Sequence, residues 1–136
     1  MKKCLWCALC FAVMLVCASC ASKVQPLDNS VYPVPTPCEN FEEAVKSAAL
    51  QRRWGVTKLD DGTIRLTLLQ RAHKVVVDVV YIDETFSINY VDSSNMLYDA
   101  KAGVIHRNYN KWVRNLAKEI LKFASGGSGS DLFRPF

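Results

Sequence analysis

Hydrophobic positions in the middle of the chain recur first with helical spacing. Four apolar residues at i, i+4, i+7 and i+8 form one stripe, made of Phe41, Val45, Ala48 and Ala49. This stripe predicts a helix that ends near Arg53, with Gly55 as its stop. Just before the stripe, Asn40 and Glu43 have the spacing of a capping box, in which the Asn40 side chain accepts hydrogen bonds from the first turn.

Strict alternation of apolar and polar residues follows this helix. Turn signals at 60–62, 71–73 and 83–84 divide the alternating region into four short strands. One apolar face runs along these strands through Ile64, Leu66, Leu68, Val75, Val77, Val79, Tyr81, Phe86, Ile88 and Tyr90. Consecutive strands joined by such short turns predict an antiparallel meander.

A second helix is predicted to begin at Arg107 or Asn108. Its buried side is formed by Tyr109, Val113, Leu116, Ile120 and Phe123, and its outer side by Lys111, Arg114, Lys118 and Lys122. The order helix, four strands, helix predicts an α+β domain over residues 39–124, in which both helices pack on one face of a four-stranded antiparallel meander.

The other face of the predicted sheet carries a mixture of polar and apolar side chains. It is formed by Arg65, Thr67, Lys74, Val76, Asp78, Val80, Ser87, Asn89 and Val91. Two interpretations of its valines stay open. They are scattered exposed residues, which is normal for a sheet face, or they form a patch through which copies of the chain self-associate or bind another envelope protein.

Composition limits the classes of protein to consider. The chain has 136 residues, of which 50% are hydrophobic and 22% charged, so it holds one packed domain and does not have the composition of a disordered protein. Its formal net charge of +4 is too small to indicate nucleic-acid binding.

The amino-terminal segment has the pattern of a secretory signal. Lys2 and Lys3 precede an uncharged stretch, and the apolar run 5–16 is shorter than the roughly 20 residues that a membrane-spanning helix needs. The sequence at 15–20, Leu-Val-Cys-Ala-Ser-Cys, resembles the lipobox of bacterial lipoproteins and departs from it by Cys17 in place of the usual Leu. The resemblance implies a signal peptide over 1–19 and lipid attachment at Cys20. Cleavage to a free secreted protein is the alternative.

A lipobox at this place implies a location and an organisation. Lipid on Cys20 would anchor the protein to the membrane, and Ala21 after it is typical of lipoproteins sent to the outer membrane, with the domain facing the periplasm. The proline-rich segment 20–38 is predicted to be an extended tether. Residues 125–136 are predicted to be a flexible Gly/Ser tail, in which Leu132, Phe133 and Phe136 form either a frayed end or a docking motif.

Cysteine spacing would suggest a metal or redox site if the amino-terminal segment were retained. Of six cysteines, four lie in the predicted signal peptide and Cys20 would carry lipid, which leaves Cys38. Cys38 is then either an unpaired thiol or the site of an intermolecular disulfide. The sequence predicts neither a metal site nor a cofactor.

Two motifs in the second half of the chain carry a further resemblance. They are Tyr90-x-Asp92-Ser93 and Ile105-His106-x-x-Tyr109-Asn110-x-Trp112-Val113. With them the chain resembles a group of small bacterial lipoproteins. The resemblance implies a class of protein and a location, and it implies no particular activity.

The meander predicts a cluster of basic residues at one end of the domain. The candidate contacts for an anion or a partner are Arg52, Arg53, Arg71, His73, Lys74, His106 and Arg107. Acidic turns at 60–61 and 83–84 lie at the other end. The cluster could bind anionic envelope material, such as lipid headgroups or cell-wall polymers, or a protein partner. Alternatively, these are solvated surface charges, with His106 or Asn108 capping the second helix while Tyr109 and Trp112 pack on the sheet.

These patterns favour a lipid-anchored binding or scaffold module over an enzyme. The runner-up is a self-assembling structural lipoprotein that uses the second sheet face. A hydrolase is the least supported hypothesis, because the sequence has no Gly-x-Ser-x-Gly or His-Glu-x-x-His motif. Its residues would be His73 or His106, one of Asp78, Asp92 and Asp99, and Ser93 or Ser94.

Overall fold

The computed structural model describes residues 23–34 and 38–126. The elements of these residues are β1 (Val24–Pro26), β2 (Val31–Pro33), α1 (Phe41–Gln51), β3 (Gly55–Lys58), β4 (Ile64–Gln70), β5 (His73–Ile82), β6 (Thr85–Ser94), β7 (Val104–His106) and α2 (Arg107–Ala124). The predicted signal peptide, Cys20 and the tail motif of Leu132, Phe133 and Phe136 lie outside the described residues. Neither helix in the described part of the chain has both the length and the apolar composition needed to cross a membrane.

The sheet topology confirms an α+β fold and corrects the predicted four-stranded meander. One sheet has five antiparallel strands in the order β2-β6-β5-β4-β3, and a second sheet pairs β1 with β7. The four predicted strands are consecutive in the larger sheet, and β2 extends it along β6. Strands β1 and β2 come from the segment 20–38 that was predicted to be a tether. Pro33 fits at the end of β2 because this strand is an edge strand, where an N–H is not needed.

The hydrophobic core lies between the two helices and one face of the five-stranded sheet. The predicted inner face is buried at Ile64, Leu66, Leu68, Val75, Val77, Val79, Phe86 and Ile88. Helix α1 contributes Val45 and Ala48, and α2 contributes Leu116 and Ile120, all with no exposed surface. Both helices therefore pack on the face that the alternation predicted.

The two ends of α1 differ from the prediction. The Trp54 N–H donates to the Ala49 carbonyl at 2.8 Å and the Arg53 N–H donates to the Leu50 carbonyl at 3.2 Å, with Arg53 at φ 61°. This is a Schellman motif with arginine at the left-handed position where glycine is usual. Gly55 is the first residue of β3 and not the stop, and the Asn40 side chain makes no capping hydrogen bond.

A β-bulge in β6 gives the Tyr-x-Asp-Ser motif its arrangement. Val77 pairs with Tyr90 and Val76 pairs with Asp92, so Val91 between them is the extra residue. After the bulge, Asp92 lies on the outer sheet face, where it forms an ion pair with Lys74 at 3.6 Å. The motif is therefore part of the sheet irregularity.

Candidate functional site

The segment 23–34 is fixed to the domain at the start of α2. The Asn110 side-chain amide donates to the Pro26 carbonyl at 2.8 Å, and the Asp28 N–H donates to Asn110 Oδ1 at 3.1 Å. Asn110 is 4% exposed, whereas Pro26 is exposed and Asp28 half-buried, so these bonds are shielded from water on the Asn110 side. The Arg107 N–H also donates to the Lys23 carbonyl at 2.9 Å. The amino-terminal end of the described chain is thus held beside the first turn of α2.

A groove runs along the exposed side of α2 next to this segment. It has a volume of about 460 Å³ and is lined by Gln25, Arg107, Asn108, Lys111, Arg114, Asn115 and Lys118. The four cationic residues follow each other at intervals of four, three and four residues, which places them on one side of the helix. The lining includes no carboxylate and no apolar side chain. We call these seven residues the basic groove.

Most of the positive charge in the basic groove is free of ion pairs. Arg114 is the exception: its Nε lies 3.5 Å from Asp28 Oδ2 and also donates to the Asn110 carbonyl at 3.1 Å. Within the described residues, Arg107, Lys111 and Lys118 have no salt bridge to a carboxylate. Several uncompensated charges of one sign along a groove raise the local concentration of anions.

The structure divides the predicted basic cluster. Arg107 lies in the basic groove, whereas Arg52 forms a salt bridge with Glu119 at 3.0 Å, about 18 Å farther along α2 at 1.5 Å per residue. Arg71 occupies the turn between β4 and β5 at φ 56°, and Arg53 ends α1.

The three other members of that cluster, His73, Lys74 and His106, have different neighbours. Lys74 lies on the outer sheet face with Asp92, away from the side that the helices cover. His106 and His73 do come together, with ring centroids 5.9 Å apart, and the His73 ring is 6.1 Å from Trp112. The structure therefore brings His73 and His106 together beside Arg107 and leaves the remaining members elsewhere.

Hydrogen bonds fix the tautomers of the two histidines. His106 Nδ1 accepts from the Asn108 N–H at 3.2 Å, so of the two residues considered as the cap of α2, His106 or Asn108, it is His106. His73 Nδ1 lies 2.8 Å from the Asn95 carbonyl and must donate to it. Burial lowers the pKa of the His106 imidazole, and the neighbouring His73 and Arg107 lower it further.

This arrangement does not suit a metal ion. Because His106 Nδ1 accepts a hydrogen bond, its proton sits on Nε2, and that nitrogen has no lone pair to offer unless the cap is lost. Among the described residues there is also no group of three or more His, Cys, Asp or Glu that could hold a metal. Cys38 is a free thiol in the described chain and packs against the core.

The aspartates and serines considered for hydrolysis have other partners. Asp78 receives two bonds of 2.8 Å from the Arg65 guanidinium, and Asp99 accepts from two backbone amides of its own loop. Ser93 Oγ lies 2.9 Å from the Tyr90 hydroxyl. The hydrogen bonds of His73 and His106 go to backbone groups, so these residues do not assemble into a nucleophile and base pair in the described structure.

Tyr109 and Asn110 of the helix-start motif are structural. Tyr109 is fully buried, 5.9 Å from the Tyr90 ring in an edge-on arrangement, and its hydroxyl has no hydrogen-bond partner within the described residues. Burial raises the pKa of this phenol well above its usual value. Packing of Tyr109 on the sheet was one of the two interpretations of the sequence, whereas no specific contact was predicted for Asn110.

Three groove residues were missed as site residues. Lys111, Arg114 and Lys118 were identified only as the exposed side of α2, although their spacing with Arg107 was a usable signal.

Comparison with protein-family models, with curated proteins and with solved structures gives no match. The candidate function therefore depends on the chemistry of the site.

Proposed function

We propose that this protein is a lipid-anchored binding module of the bacterial cell envelope, and that its basic groove binds anionic envelope material. The anchor is the lipid expected at Cys20, and the location is the outer membrane with the domain facing the periplasm. The observation that carries the binding proposal is the set of four cationic residues along one side of α2, three of them without an ion-pair partner in the described chain.

The side chains of the basic groove are suited to phosphate or carboxylate groups. Arg107 can donate two parallel hydrogen bonds to such a group, Lys111 and Lys118 supply point charges, and the amides of Asn108 and Asn115 add neutral donors. Pockets for small molecules are usually lined by apolar side chains. An entirely polar lining favours an extended anionic surface or polymer as the ligand.

Mass spectrometry tests the anchor. The full chain, produced in a Gram-negative host, is expected to lose residues 1–19 and to carry acyl chains at Cys20. The Cys20→Ser variant is expected to carry none. An intact leader on the wild-type chain, or a trimmed chain without acyl groups, contradicts this part of the proposal.

Retention on an immobilised polyanion tests the groove. The lipidated full-length protein, kept in detergent, is applied to heparin and eluted with salt. The R107Q/K111Q/K118Q variant is expected to elute at lower salt than the R53Q/R71Q/K74Q variant, because both lose three positive charges and only the first loses them from the groove. Equal elution of the two variants would show that net charge alone causes retention, and would contradict binding at the groove.

A further inference from the structure

The basic groove begins where the chain leads to the expected lipid. Lys23 is hydrogen-bonded to the backbone of Arg107, and Gln25 is part of the groove lining. Cys20 precedes Lys23 by three residues, which reach at most about 11 Å when extended. A lipid on Cys20 therefore keeps Lys23, which is bonded to the start of the groove, within about 11 Å of the residue that carries the acyl chains.

We propose that the basic groove lies on the anionic headgroups of the same membrane that holds the Cys20 lipid. This inference rests on the proposed function, and it names the anionic partner. The Debye length is about 8 Å at physiological salt, and a reach of at most about 11 Å lets the groove approach the surface to within that length, where its charges are attracted by anionic headgroups. Acyl chains and a basic surface together are a known combination of membrane attachments.

The charge distribution along the domain favours the same orientation. His73 contacts His106 at the start of α2 and also begins β5, which ends at Ile82. At about 3.3 Å per residue, the acidic turn of Asp83 and Glu84 lies about 30 Å along the strand from His73. An anionic surface attracts the groove and repels this turn, so both forces bring the groove toward the bilayer.

The orientation can be measured with single labels on the lipidated full-length protein. A Cys38→Ser background removes the one thiol that signal cleavage and acylation leave. A fluorophore is attached at N115C in the groove or at N89C on the outer sheet face, and the protein is reconstituted in phosphatidylcholine vesicles with or without phosphatidylglycerol. Lipids with a nitroxide on the headgroup quench labels that lie close to the surface.

Quenching at N115C is expected in the phosphatidylglycerol vesicles, with loss of quenching at high salt and in the R107Q/K111Q/K118Q variant. The N89C label is expected to stay unquenched. Equal quenching of the two labels, or no dependence of N115C on phosphatidylglycerol, overturns the inference. If N115C is instead shielded by added cell-wall sacculi, the groove binds a polymer and the membrane assignment is wrong. In each of these cases retention on heparin still reports separately whether the groove binds anions.

Discussion

The Asn110→Ala variant provides the sharpest test of how the amino-terminal segment is held. Asn110 is the buried polar side chain that bonds to Pro26 and Asp28, which lie 84 and 82 residues away in sequence. Alanine at this position removes both hydrogen bonds without changing the helical backbone. It also leaves the Pro26 carbonyl and the Asp28 N–H without their partner.

The expected cost follows from these two bonds. A net hydrogen bond contributes about 0.5–1.5 kcal/mol, and water can reach the backbone of exposed Pro26 and half-buried Asp28 once Asn110 is removed. The loss of two such bonds lowers the free energy of unfolding by about 1–3 kcal/mol. This is a large fraction of the roughly 5–15 kcal/mol that a domain of this size has.

Urea unfolding and hydrogen exchange measure the global and the local effect. The matched control is Asn115→Ala, the same substitution on the same helix at a half-exposed residue, which is expected to change stability by less than about 0.5 kcal/mol. In the Asn110→Ala protein, the amides of Leu27 and Asp28 are expected to exchange faster than in the wild-type protein, and by a larger factor than the amides of β5. Equal stability of the Asn110→Ala and Asn115→Ala proteins, with unchanged exchange at these amides, would refute the reasoning.

Three further substitutions test individual features of the fold. Tyr109→Phe is expected to leave stability unchanged or raise it by up to about 1 kcal/mol in thermal unfolding, because the buried hydroxyl has no partner in the described chain; a loss above about 1 kcal/mol would reveal a hydrogen bond to that hydroxyl. Arg53→Gly is expected to add about 0.5–1 kcal/mol to the unfolding free energy, because glycine adopts φ 61° without strain, and Arg53→Ala at the same position serves as the control that should not stabilise. The lowered pKa of His106 means that the unfolded chain binds a proton more readily, so stability is expected to fall as pH drops through 6.5 and to level off below the folded pKa. His106→Asn keeps a cap acceptor and does not titrate, so urea unfolding should show a smaller loss on acidification; an identical pH profile would exclude His106 as the cause.

Hydrophobic spacing was sufficient to predict the elements that have one face on the core. The alternation in β4, β5 and β6 placed the correct residues in the core, and the stripe on α2 predicted a start at Arg107 or Asn108, where the helix begins at Arg107. The end of α1 was less predictable, because a Schellman motif with Arg53 in the left-handed conformation has no glycine to mark it. The bulge at Val91 was also hidden, since an extra residue changes the alternation only at one point.

The predicted basic cluster failed because its members come from distant parts of the chain. The sequence placed seven basic or histidine residues at one end of the meander, but α2 extends across the sheet and separates Arg52 from Arg107 by about 18 Å. Arg107 alone among the seven lines the basic groove. Its neighbours Lys111, Arg114 and Lys118 share a helical spacing that the sequence shows, and only Gln25 had to be supplied by another element.

By itself, the sequence determined the α+β class, the buried face of each long strand and the two helices. It also led to the expectation of a lipid at Cys20. These features depend on hydrophobic periodicity and signal motifs, which involve only residues that are close together in the sequence. The tertiary structure alone decided that residues 24–26 and 31–33 join the sheets, that Asn110 fixes this segment, and that the groove opens beside it. Strands of three residues are too short to show a period, and their hydrogen bonds are completed by partners that only folding brings close.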